Sequence, residues 1–97
     1  MYLIISGMNN ITINLSKKLI ADGNEITFVG TDEKKSLDIE KEIGYVSILG
    51  NSYNKNTLIE AGIERADYFI ASTLYDDINF LSSEIAKSLN ENIYTIC

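Results

Sequence analysis

Histidine is absent from this 97-residue chain and cysteine occurs once, at Cys97. With neither residue in number, zinc ligation and imidazole-based acid–base chemistry are all but excluded. A single cysteine forms no internal disulfide, which agrees with a reducing compartment. Basic residues are also few: eight Lys and Arg stand against fourteen Asp and Glu, a net charge of −6. They are scattered, with short pairs at Lys17–Lys18 and Lys34–Lys35. Binding a nucleic-acid polyanion needs clustered cations, so no nucleic-acid partner is expected. No apolar run is long enough to cross a bilayer, and no basic segment with a cleavage site opens the chain. A soluble, cytoplasmic chain is expected.

What is present is globular in balance, with 45% hydrophobic and 23% charged residues, and the length bounds it to one modest domain. It opens with an apolar run, Tyr2–Ile5, that meets Gly7. Ile11, Leu15 and Leu19 then recur every four residues with Ile20 beside them, an amphipathic helix running to Ala21. Strand, glycine and helix is how a mononucleotide-binding βαβ unit begins, its helix N-terminus offering N–H groups to a phosphate. The fingerprint G-x-G-x-x-G falls on Gly7, Asn9 and Thr12, so one glycine of three is kept.

Further strands are read at Glu25–Val29, Tyr45–Leu49, Asp67–Ala71 and Ile93–Ile96. Gly23 serves as a left-handed cap after the first helix. The second helix is capped by Thr31 or Asp32 and runs to about Ile43, with Leu37, Ile39 and Ile43 as its thin apolar stripe. Asn51–Asn56 is a polar loop before a short helix over Thr57–Ala61, which Gly62 stops. Asp76 and Asp77 suit the N-terminus of a fourth helix, whose stripe is Ile78, Leu81, Ile85 and Leu89.

Short apolar strands alternating with helices predict an α/β fold, a Rossmann-like αβα sandwich with parallel strand order 3-2-1-4-5. The ligand crevice falls between the first and fourth strands. Four loops open there: Gly7–Ile11, Gly30–Asp32, Gly50–Tyr53 and Ser72–Asp76. Because the sequence stops in or just after a buried-type strand, a fragment, or a chain completed by partner elements, is expected.

Asn56–Leu81 carries a more specific pattern: Glu60-Ala61-Gly62-Ile63, then Ala66-Asp67, an apolar strand, and a turn with Thr73, Asp76 or Asp77, and Asn79. Here the sequence resembles the TrkA-N family, the nucleotide-binding lobe of RCK (KTN) domains that regulate potassium channels and transporters. The resemblance covers essentially the whole chain. It implies a regulatory lobe that binds NAD, NADH or an adenine nucleotide and assembles as a homo-oligomer, a dimer or ring. It also implies a membrane potassium transporter or channel subunit as partner, holding the lobe at the inner membrane. The implied contact residues are Gly7, Met8, Asn9, Asn10, Ile11, Asp32, Asn51, Ser52, Tyr53, Thr73 and Asn79, with no catalytic or metal-binding residue.

Several positions depart from the family. Asn9 puts a Cβ and an amide where a glycine lets pyrophosphate approach the backbone. Asn10 stands where the family commonly has Arg, and Thr12 should push the first helix outward. Gly30 takes the place of the acid that binds ribose hydroxyls; Asp32 is either its substitute or the helix cap, and the cap is favoured. Lys34 and Lys35 suggest a 2′-phosphate site or a solvated face, the solvated face being favoured. Asn51 replaces an aspartate, Tyr53 either stacks on adenine or covers the crevice, and Thr73 and Asn79 can equally cap and pack the fourth helix. Each lost contact costs about 1–3 kcal/mol, so the losses together weaken binding by several powers of ten. A degenerate assembly lobe is therefore the alternative reading. A small NAD-dependent oxidoreductase stands third, since no Tyr is followed four residues later by Lys and no substrate domain is present.

Overall fold

In the computed structural model, which describes residues 1–44 and 46–97, the apolar opening forms the central strand of a parallel sheet. The elements are β1 (Tyr2–Ser6), α1 (Asn10–Ala21), β2 (Glu25–Gly30), α2 (Glu33–Ile43) and β3 (Val46–Leu49). They continue with α3 (Lys55–Ala61), a 3₁₀ turn (Ile63–Arg65), β4 (Tyr68–Ala71), α4 (Asp76–Leu89) and β5 (Tyr94–Ile96). Strand order is β3-β2-β1-β4-β5, all pairs parallel, as the strand and helix alternation predicts. The expected start of β3 at Tyr45 and the side chain of Ile43 lie outside the described residues.

β1 is buried along its whole length, so its alternate residues feed two cores. Tyr2 and Ile4 join Leu58, Ile63, Phe69 and Ala86 beneath α3 and α4. Leu3 and Ile5 join Met8, Ile26, Phe28 and Ile39 beneath α1 and α2. Each fully buried Phe or Ile side chain contributes about 1.5–3 kcal/mol.

Only part of each expected aliphatic stripe meets these cores: Leu19 and Ile20 on α1, Ile39 on α2, and Ile85 and Leu89 on α4 pack there. On α1, Ile11 is 79% exposed and Leu15 41%, while Thr12 and Ser16 point inward. On α4, Leu81 is 48% exposed and the buried line is Asn79, Ser82, Ser83 and Ala86. On α2, Leu37 is 49% exposed, and Ile39 and Ser36 are the residues that bury. Small hydroxyl side chains allow close helix–sheet contact because each can bond locally. Ser16 donates to the Ile13 carbonyl at 2.7 Å and Ser82 to the Asn79 carbonyl at 3.2 Å.

Boundaries also shift by a residue or two: β2 runs on to Gly30, and α3, β4 and β5 start at Lys55, Tyr68 and Tyr94. α3 starts at Lys55 because Asn54 caps it, accepting from the Asn56 amide at 2.9 Å. Ile93 is fully buried just before β5 begins at Tyr94.

The Glu60–Asp67 motif is architectural. Gly62 ends α3, the Tyr2 hydroxyl donates to the Ala61 carbonyl, and Ile63 is fully buried. Asp67 accepts from the Tyr2 amide at 2.8 Å, which sets the register of β4 beside β1. β5 carries Tyr94 and Ile96 outward, with Tyr94 stacked on Tyr68 at 5.3 Å between ring centroids. No helix among the described residues is long and apolar enough to cross a membrane.

Candidate functional site

The C-terminal ends of β1, β2, β3 and β4 open into one cleft of about 410 Å³, at the point where the chain reverses direction across the sheet. Gly7 starts its floor. It sits at φ +109°, and a Cβ there would stand 2.3 Å from the Ser72 carbonyl oxygen. The β1–α1 turn is thus pressed against the β4–α4 turn, and only glycine fits between them.

Asn9 is the N-cap of α1 and forms a reciprocal capping box with Thr12. The Asn9 Oδ1 accepts from the Thr12 amide at 3.0 Å, and the Thr12 hydroxyl accepts from the Asn9 amide at 3.1 Å. That hydroxyl also lies 2.7 Å from the Gly7 carbonyl oxygen, and Thr12 is buried. The β-branched residue expected to hold the helix outward is thus bonded into the turn itself. The Asn9 Nδ2 donates to the Ser72 carbonyl at 3.2 Å, tying the two turns together. Two of the amides at the α1 N-terminus are therefore consumed by the chain. Among the described residues, no protein acceptor meets those of Asn10 and Ile11.

The β4–α4 turn is latched by Asn79. Its Oδ1 accepts from the Thr73 amide at 3.0 Å and lies 2.6 Å from the Thr73 hydroxyl, while its Nδ2 donates to the Thr73 carbonyl at 3.1 Å. Thr73 and Asn79 therefore brace the turn into α4 and pack its first turn, while the N-cap position, Tyr75, has no side-chain cap. Leu74 and Tyr75 project from this latched turn, both exposed, on the cleft rim.

Across the cleft, β2 ends at Gly30, where a Cβ would meet the Met8 Cε at 2.3 Å. Met8 is buried and fills the space in which a strand-end acid would begin. Asp32 caps α2, its Oδ1 accepting from the Lys35 amide at 3.1 Å. The third wall comes from Gly50–Tyr53, with Ser52 buried and Tyr53 partly exposed.

Of the residues the sequence singles out, the cleft is lined by Gly7, Met8, Asn9, Asp32, Asn51, Ser52, Tyr53 and Thr73. Asn10, Ile11 and Asn79 do not line it: the first two lie on the exposed side of α1 and Asn79 is buried behind the latch. The cleft also includes Thr31, Lys35 and Tyr75, which the sequence reading left out of the contact set. Lys35 has a signal in retrospect. It lies three residues after the N-cap, on the helical turn that faces the strand ends.

Arg65 lies at the opposite end of the sheet, over the Tyr2 ring at 3.9 Å. Its hydrogen bond to Glu25, 3.0 Å long, raises its pKa.

A parallel sheet in 3-2-1-4-5 order, with a cleft at its switch point and helix N-termini facing in, defines the Rossmann-like nucleotide-binding class of fold. Within that class the chain belongs to the TrkA-N domain family, whose profile matches residues 3–97. It is 35% identical over 87 residues to the Trk system potassium uptake protein TrkA homolog of Methanothermobacter thermautotrophicus, covering 90% of this chain and 40% of that relative's length. The GsuK channel bound to NAD superposes with a TM-score of 0.84 at 22% identity, over 97% of this chain and 17% of the channel chain. The AMP-bound Kef CTD of Shewanella denitrificans gives 0.84 at 16% identity, over 98% of this chain and 57% of that one. These structural likenesses establish the fold.

A nucleotide fits the residues present. The β2 and β3 ends leave an open, partly aromatic space walled by Ser52 and Tyr53. At the β1 end the cleft is lined by the Gly7–Asn9 turn, without the cationic clamp; the amides of Asn10 and Ile11 have no protein acceptor among the described residues but lie beside the cleft lining.

Proposed function

We propose that this chain is the nucleotide-sensing lobe of a potassium uptake system or channel, binding NAD, NADH or an adenine nucleotide in the switch-point cleft. The observation that carries the reading is the continuous cleft joining the ends of β1, β2, β3 and β4, lined by glycine, hydroxyl and aromatic residues. Family membership supports the regulatory role. Phosphate would meet the Gly7–Asn9 turn at the end of β1, and the base would lie against Tyr53. The lobe works in the cytoplasm beside a membrane partner and assembles with copies of itself. The outward apolar residues Ile11, Leu15, Tyr94 and Ile96 support that assembly.

The reading requires no catalytic residue. The output is a free-energy difference between two assembly states that bind the ligand unequally. Thermal unfolding with NAD, NADH, ATP, ADP and AMP at millimolar concentration tests it. A ligand at one hundred times its dissociation constant stabilises the fold by about 2.7 kcal/mol, a plainly visible rise in midpoint. No rise with any of the five contradicts it.

A second reading, a lobe kept for assembly alone, draws on one observation. The Asn9–Thr12 capping box satisfies from within the chain the donors that a phosphate would use. Under that reading the midpoint stays fixed with every nucleotide while the chain still self-associates in sedimentation. A strict monomer at high concentration argues against the assembly role in both readings.

A further inference from the structure

The β2 end of the cleft differs in charge from the β1 end. In a dinucleotide site of this architecture the second strand ends in an acid that bonds the ribose 2′-hydroxyl, or a cation nearby accommodates a 2′-phosphate. Here the strand ends at Gly30, and Met8 packs over it closely enough that a side chain could start there only if the thioether moved. No carboxylate therefore projects from the strand terminus. Thr31 and Lys35 are among the residues that line the cleft beside it, and they bear a hydroxyl and an ammonium group.

Among the described residues the one ion pair is Arg65–Glu25, so the Lys35 ammonium is not neutralised by a carboxylate. Asp32 is the carboxylate that lines this end, and it opposes an incoming anion. Its Oδ1 is committed to the Lys35 amide, and its charge is partly offset by the N-terminus of the eleven-residue α2. The same bond fixes the first turn of α2, so the Lys35 side chain is carried on ordered backbone.

We propose that Thr31 and Lys35 form a seat for a 2′-phosphate, so that the lobe prefers 2′-phosphorylated adenine nucleotides, NADP and NADPH, to NAD and NADH. The proposal rests on the nucleotide-binding reading and adds the identity of the ligand class. Lys35 is the specificity-determining residue: a lysine ammonium is a compact charge that suits a terminal phosphate. A charge-assisted contact of this kind gives a preference of about tenfold or more in Kd.

Calorimetric titration of the chain with NADPH and NADH, and with 2′,5′-ADP and 5′-AMP, tests it at two ionic strengths. The expected result is tighter binding of the 2′-phosphorylated member of each pair by about tenfold, narrowing at high salt. Lys35→Ala should remove that preference by weakening NADPH about tenfold more than NADH. Lys34→Ala, one position away and outside the cleft lining, should leave both unchanged. Both lysines are exposed, so the variants keep the wild-type unfolding midpoint. Equal or tighter binding of NADH overturns the seat and leaves the nucleotide reading standing. So does a preference that survives Lys35→Ala. Failure of all four ligands to bind overturns both.

Discussion

Two of the helices that begin at the cleft, α1 and α2, spend their free amides differently. At α1 the chain closes on itself. Asn9 and Thr12 satisfy each other, Asn9 reaches across to Ser72, and Gly7 leaves no room between the two turns. At α2 the cap is a single bond from Asp32, the neighbouring strand end is bare, and a lysine lines the open space. One end is built for rigidity, and its contacts are internal. The other is built loosely, and its polar groups are available. A site can therefore keep its architecture while its grip on a ligand moves from one end to the other.

The sharpest way to break this comparison is to add one methyl group at each end. Gly7→Ala forces a Cβ onto the Ser72 carbonyl at a φ that L-residues avoid. It should cost about 4 kcal/mol, summing backbone strain and overpacking, read as a fall in the urea midpoint. Asn79→Ala comes next. It strips the β4–α4 latch of its acceptor and donor and leaves the part-buried Thr73 amide unpaired. About 2 kcal/mol should be lost, with faster amide exchange at Thr73 and Tyr75 than elsewhere.

Asn9→Gly sharpens the comparison, because two readouts should move in opposite directions. Stability falls by about 1 kcal/mol as the cap and the Ser72 link go. The nucleotide-induced rise in midpoint should grow, since the Cβ and amide no longer stand in the phosphate's path. A smaller nucleotide effect in this variant would contradict the role assigned to the capping box. Gly30→Ala should have the least effect, less than about 1 kcal/mol in denaturant titration. The atom its Cβ would meet is the free end of the flexible Met8 side chain. A loss matching that of Gly7→Ala would mean the two ends are equally rigid.

Much of this fold is legible in the sequence. Strand order follows from short apolar runs separated by helices and punctuated by glycine, and those features depend only on local chemistry. The helix faces were less legible, for a physical reason. Spacing counts aliphatic residues, but α1 and α4 approach the sheet on Thr12, Ser16, Ser82 and Ser83. Small hydroxyl residues pack closely and bond their own backbone, whereas Ile11, Leu15 and Leu81 stay exposed and only the later part of each stripe, Leu19 with Ile20 and Ile85 with Leu89, packs on the core.

The site was legible as a set of loops and much less so as a set of bonds. The loss of glycine at position 9 is visible in the sequence. That the replacement would cap α1 and tie it to Ser72 depends on a residue 63 positions away. The motif places Thr73 and Asn79 at the turn into the fourth helix, but that they bond each other through three separate contacts is visible only in the structure. Lys35 looks like one of a solvated pair, and only the packing of α2 against the strand ends brings it to the cleft while Lys34 stays outside.

The central claim is that the switch-point cleft takes up an adenine nucleotide, and an amide-resolved NMR titration tests it most directly. With NADPH or NADH added to saturation, the predicted result is a set of shift changes at Gly7–Ile11, Thr31–Lys35 and Gly50–Tyr53, with β5 and the 3₁₀ turn unmoved. Spectra that do not change at millimolar nucleotide, or changes confined to residues away from the strand ends, would contradict it.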